Sequence, residues 1–117
     1  MNPTNDRKID YIELPAIDME KTKLFYYTVF GWKIETWGPD YASFHDGRLS
    51  GGFRKEKKVK EGGALVILYA SDLEAIERRI VLAGGKITKP TFTFPGGRRF
   101  HFSDPNGNEL GVWSNVG

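Results

Sequence analysis

Two histidines, His45 and His101, and no cysteine are available for chemistry in this 117-residue chain. Without cysteine there is no disulfide, no zinc–thiolate or iron–sulfur site and no thiol nucleophile. Proton transfer or metal binding must therefore draw on imidazole, carboxylate and phenol groups. The run Asp104-Pro105-Asn106-Gly107 reads as a tight hairpin with Gly107 at a bulge. That hairpin pairs Asp104 with Asn108, Ser103 with Glu109 and His101 with Gly111. Residues directly opposite on paired strands share a face, so His101, Glu109, Gly111 and Trp113 are expected on one face, with Arg99 two residues behind His101. Near the N-terminus, Tyr11 and Glu13 share a face by strand alternation, and Ile12 and Leu14 take the other. Three carboxylate or imidazole groups follow as candidate acid/base groups: Glu13, His101 and Glu109. Candidate ligand contacts are Tyr11, Phe53, Arg99, Gly111 and Trp113. A polar pocket that only hydrogen-bonds a ligand, a satisfied interior, or a His/Glu/Glu metal site are the other readings of the same groups. Arg98-Arg99 reads as an anion site or as an exposed pair at a strand start. His45 beside the Asp46-Gly47 turn is expected at the surface, its face undecided. Trp32, Trp37, Phe44, Phe53 and Tyr69 suit core packing, a pocket wall or an interface.

The elements that must position these groups occur twice. Residues 9–15 read as a strand ending at proline, and Asp18 stands where a helix N-cap belongs. Thr22, Phe25, Tyr26, Val29 and Phe30 then follow helical spacing, with Gly31 as the stop. Residues 32–37, 41–46 and 48–53 read as three short strands. The second half repeats this order: a strand over 64–70, a capping box Ser71-Asp72-Leu73-Glu74 with Ser71 as cap, and a helix stripe Leu73, Ile76, Ile80, Ala83 closed by Gly84-Gly85. Strands follow at 86–89, 98–104 and 109–113. Asp18 and Asp72 stand 54 residues apart, as do Gly31 and Gly85; Phe44 and Phe102 stand 58 apart, and Gly51 and Gly111 stand 60 apart. The fold class is therefore expected to be α+β, built from two βαβββ modules at about 8–55 and 63–115 in one domain. The charged linker at 54–63 is expected to be a solvated loop. Seventeen basic against 15 acidic residues give a net charge of +2, too small a bias to mark a nucleic-acid partner. No apolar run reaches the ~18–20 residues of a spanning helix. The polar first eight residues lack the form of a signal peptide. A cytoplasmic protein without membrane partners is expected.

Two consecutive βαβββ modules resemble the vicinal oxygen chelate superfamily, which includes glyoxalase I, bleomycin-resistance proteins and extradiol dioxygenases. The residues that carry the resemblance are Ile12-Glu13-Leu14-Pro15, Asp18 and Phe25-Tyr26-Tyr27-Thr28-Val29-Phe30-Gly31-Trp32 in the first module. In the second they are Ala83-Gly84-Gly85-Lys86 and the run from Phe102 to Trp113. The resemblance implies a glyoxalase-like fold in which the modules curl into a half-barrel cup, with helices outside. It places the superfamily's metal-ligand positions at about Tyr11, Leu65, Gly51 and Gly111, where leucine and glycine offer no donor and a phenol is a poor one. No metal or other cofactor is expected. The implied function is binding of a small molecule in an aromatic-lined cup holding Tyr11, Glu13, Arg99, His101, Glu109 and Trp113. The alternatives are a lyase or isomerase, lactoylglutathione lyase-like or an epimerase, using the cup's carboxylates and histidine, or a drug-sequestering resistance protein. A homodimer is implied as well.

Overall fold

Alternating apolar and polar residues set which side of each strand faces a helix, and this alternation organises both halves of the computed structural model. It describes residues 6–7, 9–60 and 62–116; residues 1–5, Lys8, Glu61 and Gly117 lie outside the described residues, and with them part of the polar N-terminus and of the linker's charge run. The element order is β1 (Tyr11–Ala16), α1 (Met19–Phe30), β2 (Lys33–Thr36), β3 (Tyr41–His45), β4 (Ser50–Lys55), β5 (Val66–Tyr69), α2 (Leu73–Leu82), β6 (Lys86–Phe94), β7 (Gly97–Ser103) and β8 (Glu109–Ser114). Two four-stranded mixed sheets result, in the orders β1-β4-β3-β2 and β5-β8-β7-β6. The expected α+β class and duplicated βαβββ order are what the chain adopts. The described linker residues Glu56, Lys57, Lys58 and Lys60 are exposed.

Asp18 caps α1 by accepting from the Lys21 N–H at 3.0 Å, and Gly31 ends the helix in the left-handed conformation (φ 71°). At α2 the cap is Asp72 and not Ser71: the Asp72 carboxylate accepts from the Ala75 N–H at 3.0 Å. The repeat spacing from Asp18 already pointed to this residue. Asp72 is itself extended (φ −114°, ψ 91°), so its side chain meets the first free helical N–H groups.

One core joins the two helix-side faces. Phe25, Tyr26 and Val29 of α1 pack with Trp32, Ala42, Phe44 and Phe53, and with Phe100, Phe102, Leu110 and Val112 of the second sheet and Leu73 and Ile80 of α2. Tyr26 stacks on Trp32 with ring centres 4.7 Å apart, and Trp32 on Phe44 at 4.4 Å. Gly51 belongs to this side. A Cβ there would run into the Phe44 ring and the Ile12 carbonyl, so the glycine is a notch in which Phe44 packs. Phe53 is fully buried beside Tyr26 and Trp32, which corrects its expected place among the ligand contacts.

The two halves are also tied by polar contacts from the β7–β8 turn. The turn closes as expected, with Asp104 N–H donating to the Asn108 carbonyl at 2.8 Å and Gly107 at φ 95°. Its side chains reach across to the first module. Asn106 Oδ1 accepts from the Ile17 N–H at 2.7 Å, Asn106 Nδ2 donates to Thr22 Oγ1 at 2.8 Å, and Asn108 Nδ2 donates to the Pro15 carbonyl at 2.8 Å. Tyr26 donates its hydroxyl to Asp104 Oδ2 at 2.8 Å in the buried interior. Burial, followed by the Asp104 charge, pushes the Tyr26 phenol well above its ordinary pKa.

Candidate functional site

The side of each sheet away from the helices is open, and every candidate group except Phe53 lies there. On the first sheet the register aligns Glu13, Gly52, Ser43 and Glu35 across four strands, with Tyr11, Ser50, His45 and Lys33 in the next open-face row. Tyr11 and Tyr41 join hydroxyl to hydroxyl at 2.6 Å, and Tyr41 donates to Glu13 Oε2 at 3.0 Å. Arg54 stands 3.7 Å from the other Glu13 oxygen and bonds Glu56 at 3.1 Å. Desolvation, then the hydrogen bonds with Tyr11 and Glu13, push the Tyr41 phenol far above its ordinary value. Glu13 is therefore occupied: it accepts from a phenol and faces a guanidinium, and it holds the tyrosine pair in place. Gly52 makes the pair possible, since a Cβ there would stand 2.7 Å from the Tyr11 hydroxyl. His45 is exposed on this sheet, its Nδ1 accepting from the Gly47 N–H at 3.1 Å in the turn.

On the second sheet the hairpin register is the one expected, with Arg99 opposite Trp113, His101 opposite Gly111 and Ser103 opposite Glu109. His101 Nδ1 lies 3.1 Å from Glu109 Oε2. A carboxylate only accepts, so Nδ1 carries the proton and donates it, and in the neutral ring Nε2 holds the lone pair. That Nε2 is buried and has no hydrogen-bond partner. Glu109 Oε2 also accepts from Thr88 Oγ1 at 3.3 Å. Phe92 packs 5.9 Å from the imidazole, and the Arg99 guanidinium lies over Phe92 at 5.2 Å and Phe94 at 5.6 Å. Trp113 completes the wall, 6.3 Å from Phe94 and edge-on to Tyr69 at 5.2 Å. Gly111 leaves space beside the ring: a Cβ would sit 3.4 Å from His101 Cδ2.

The six groups expected in one cup thus fall into two sets. Tyr11 and Glu13 belong to the first sheet, and Arg99, His101, Glu109 and Trp113 to the second. Among the described residues no hydrogen bond, ion pair or ring contact joins the sets. Tyr41, Phe92 and Phe94 were missed. The alternation Thr91-Phe92-Thr93-Phe94 is a strand signal, but Pro90 sits inside the strand, and the pairing shifts register between Lys89 and Phe92. The position matching Gly111 in the first sheet is Gly52, because Ser43 and His101 occupy the same place on β3 and β7. The expected match to Gly51 was one residue off.

The description Glyoxalase/Bleomycin resistance protein/Dioxygenase superfamily belongs to a family model that matches residues 8–112. The chain belongs to this superfamily. No curated protein matches its sequence. Among solved structures, a glyoxalase/bleomycin resistance protein/dioxygenase family enzyme from Burkholderia phytofirmans PsJN superimposes with a TM-score of 0.81 at 15% identity, covering 92% of this chain and 100% of the other. The fosfomycin resistance protein FosX of Mesorhizobium loti gives 0.78 at 14% identity, covering 92% of each chain. A lactoylglutathione lyase from Agrobacterium tumefaciens gives 0.74 at 19% identity, covering 97% and 96%. At these identities the glyoxalase-like fold is what is shared. The superfamily resemblance implies a divalent metal, and the donors here do not fit one within a single chain. Among the described residues no group of three or more His, Asp or Glu converges, and Glu13 is engaged by Tyr41 and Arg54. No helix of the described residues is long and apolar enough to cross a membrane.

Proposed function

We propose that this glyoxalase-superfamily protein binds a small organic molecule on the open face of its second sheet, without the superfamily's metal, as a cytoplasmic homodimer. The observation that carries the reading is the buried, unpartnered Nε2 of His101, since a buried polar atom left without a partner is costly unless something else supplies one. Phe92 beside it, with Phe94 and Trp113 packed together on the same face, supplies the apolar wall that small-molecule sites use. The dimer gives the two open faces something to meet: Tyr11, Ile67, Tyr69 and Trp37 are all exposed. A second copy could set the Tyr11–Tyr41–Glu13 face opposite the His101–Glu109 face and so complete the cup.

A second reading is favoured by the 3.1 Å contact between His101 and Glu109. A histidine oriented by a carboxylate through one nitrogen presents the other as a proton acceptor, the arrangement of a general base. A lyase or isomerase would use it; a sequestering resistance protein would need only the pocket. A thermal-shift screen of small metabolites tests the binding reading, with Gly111→Leu as the control that fills the space beside His101. Stabilisation of the wild type and not of Gly111→Leu is the expected result; equal shifts in both would sink it. Chromatography of a recovered hit then separates the two readings, since a sequestering protein returns its ligand unchanged.

A further inference from the structure

The two adjacent arginines of β7 have different fates. Arg98 is consumed by Glu74, with its Nη1 2.7 Å from a carboxylate oxygen. Arg99 makes no ion pair among the described residues. Its guanidinium lies over Phe92 and Phe94, its Nε is buried without a partner, and it is only partly exposed. Held against two rings, its planar fork suits a two-point acceptor. His101 stands two residues along on the same face, about 6.6–7 Å away by strand rise; its unpartnered Nε2 is bonded to the Cδ2 that a Cβ at Gly111 would approach to 3.4 Å. Beside the Glu109 carboxylate, the same face thus carries Arg99 with no ion-pair partner among the described residues, Lys89 opposite His101 with its Nζ 4.8 Å from the Phe92 ring centre, and an imidazole nitrogen with no hydrogen-bond partner.

We propose that the ligand of this site is a small organic anion: a carboxylate, phosphate or phosphonate that pairs with Arg99 and bears, on a neighbouring carbon, a hydroxyl or acidic C–H directed at His101 Nε2. Its hydrocarbon part lies against Phe92, Phe94 and Trp113. The proposal rests on the reading of the second sheet's open face as the binding site, and it adds the ligand's charge and the order of its groups.

The test is a matched panel read by NMR at the Trp113 indole N–H and the His101 ring. Benzoate, mandelate, phenyl phosphate and phenylphosphonate are titrated beside their uncharged methyl esters and beside inorganic phosphate. The anions, mandelate foremost because it carries the hydroxyl, are expected to move both signals. Arg99→Gln should weaken that binding about ten- to hundredfold, the usual effect of losing a charge-assisted pair. Arg99→Lys, which keeps the charge and loses the planar fork, should fall between and guards against a folding defect in the first variant. Esters that bind as tightly as the acids, with no effect of Arg99→Gln, would overturn the charge assignment and leave the pocket standing. Silence from every member, charged or neutral, would overturn the pocket and the proposal together. Inorganic phosphate bound as tightly as the organic anions, with Trp113 unmoved, would reduce the site to a simple ion contact and overturn the organic part.

Discussion

His101 is held by one ring nitrogen, and its role turns on which one carries the proton. With Glu109 accepting at Nδ1, the neutral ring keeps its lone pair at Nε2. Glu109→Gln should release that choice, because an amide can donate as well as accept. Nitrogen-15 shifts of the ring should then show a larger Nε2–H fraction; an unchanged tautomer would mean that Glu109 does not set it. Tyr26 makes a second residue-level prediction. Its buried hydroxyl donates to Asp104, so Tyr26→Phe should cost about 1.5–3 kcal/mol in denaturant unfolding, the range for hydrogen bonds to charged groups. The sign with pH is also fixed. Burial and then Asp104 raise the phenol above its ordinary value of 10.0. Above that pH the unfolded chain loses this proton while the folded chain keeps it, so stability falls as pH rises past 10. Tyr26→Phe should flatten that fall. The face of His101 was legible because Asp-Pro-Asn-Gly fixes a hairpin register by local turn chemistry. The face of Phe53 was not: two consecutive glycines carry no burial signal, and a one-residue slip exchanges every side chain between faces.

At the scale of elements, the helix caps and the β7–β8 turn decide more than the helices' own sequences. Asp18 and Asp72 each accept an early N–H. Replacement of Asp72 by Ala should cost about 1 kcal/mol, whereas Ser71→Ala should lie within experimental error; chemical denaturation of the pair checks this. The turn matters further because its asparagines satisfy groups of the other module. Asn106 serves the Ile17 and Asp18 N–H groups and Thr22 Oγ1. Loss of this side chain removes the part-buried bond to the Ile17 N–H and the buried one to Thr22 Oγ1, so Asn106→Ala should destabilise by about 1–3 kcal/mol. Hydrogen exchange should quicken at Ile17, far from it in sequence. As a hairpin the turn was readable in the sequence. Its cross-module bonds were not, because a side chain's distant partner is chosen by how the modules pack. The length of β6 was hidden for a local reason: Pro90 removes a donor within a strand that tolerates it through a shift in register.

For the whole molecule, the consequential feature is that one shared core faces inward and two chemically equipped sheet faces look outward. Exposed Ile67, Tyr69 and Tyr11 are costly to leave against water, and a second copy would cover them. Sedimentation at micromolar concentration is expected to give a dimer, and Ile67→Glu to shift it toward monomer by placing a charge in the covered face. A wild-type monomer would count against the completed cup and would leave the second sheet's face to bind its ligand alone.

The sequence by itself determined the repeated βαβββ order, the Asp18 cap, both helix stripes and the pairing of His101 with Gly111. These follow from local rules of periodicity, capping and turn geometry, which need only near neighbours. Only the tertiary structure decided that Gly51 and Phe53 belong to the core, that Glu13 is spent on Tyr41 and Arg54, and that Arg98 is neutralised while Arg99 is not. Phe53 against Tyr26, Glu13 against Tyr41 and Arg98 against Glu74 are partners far apart in the chain, and which distant groups meet is set by how sheets and helices stack.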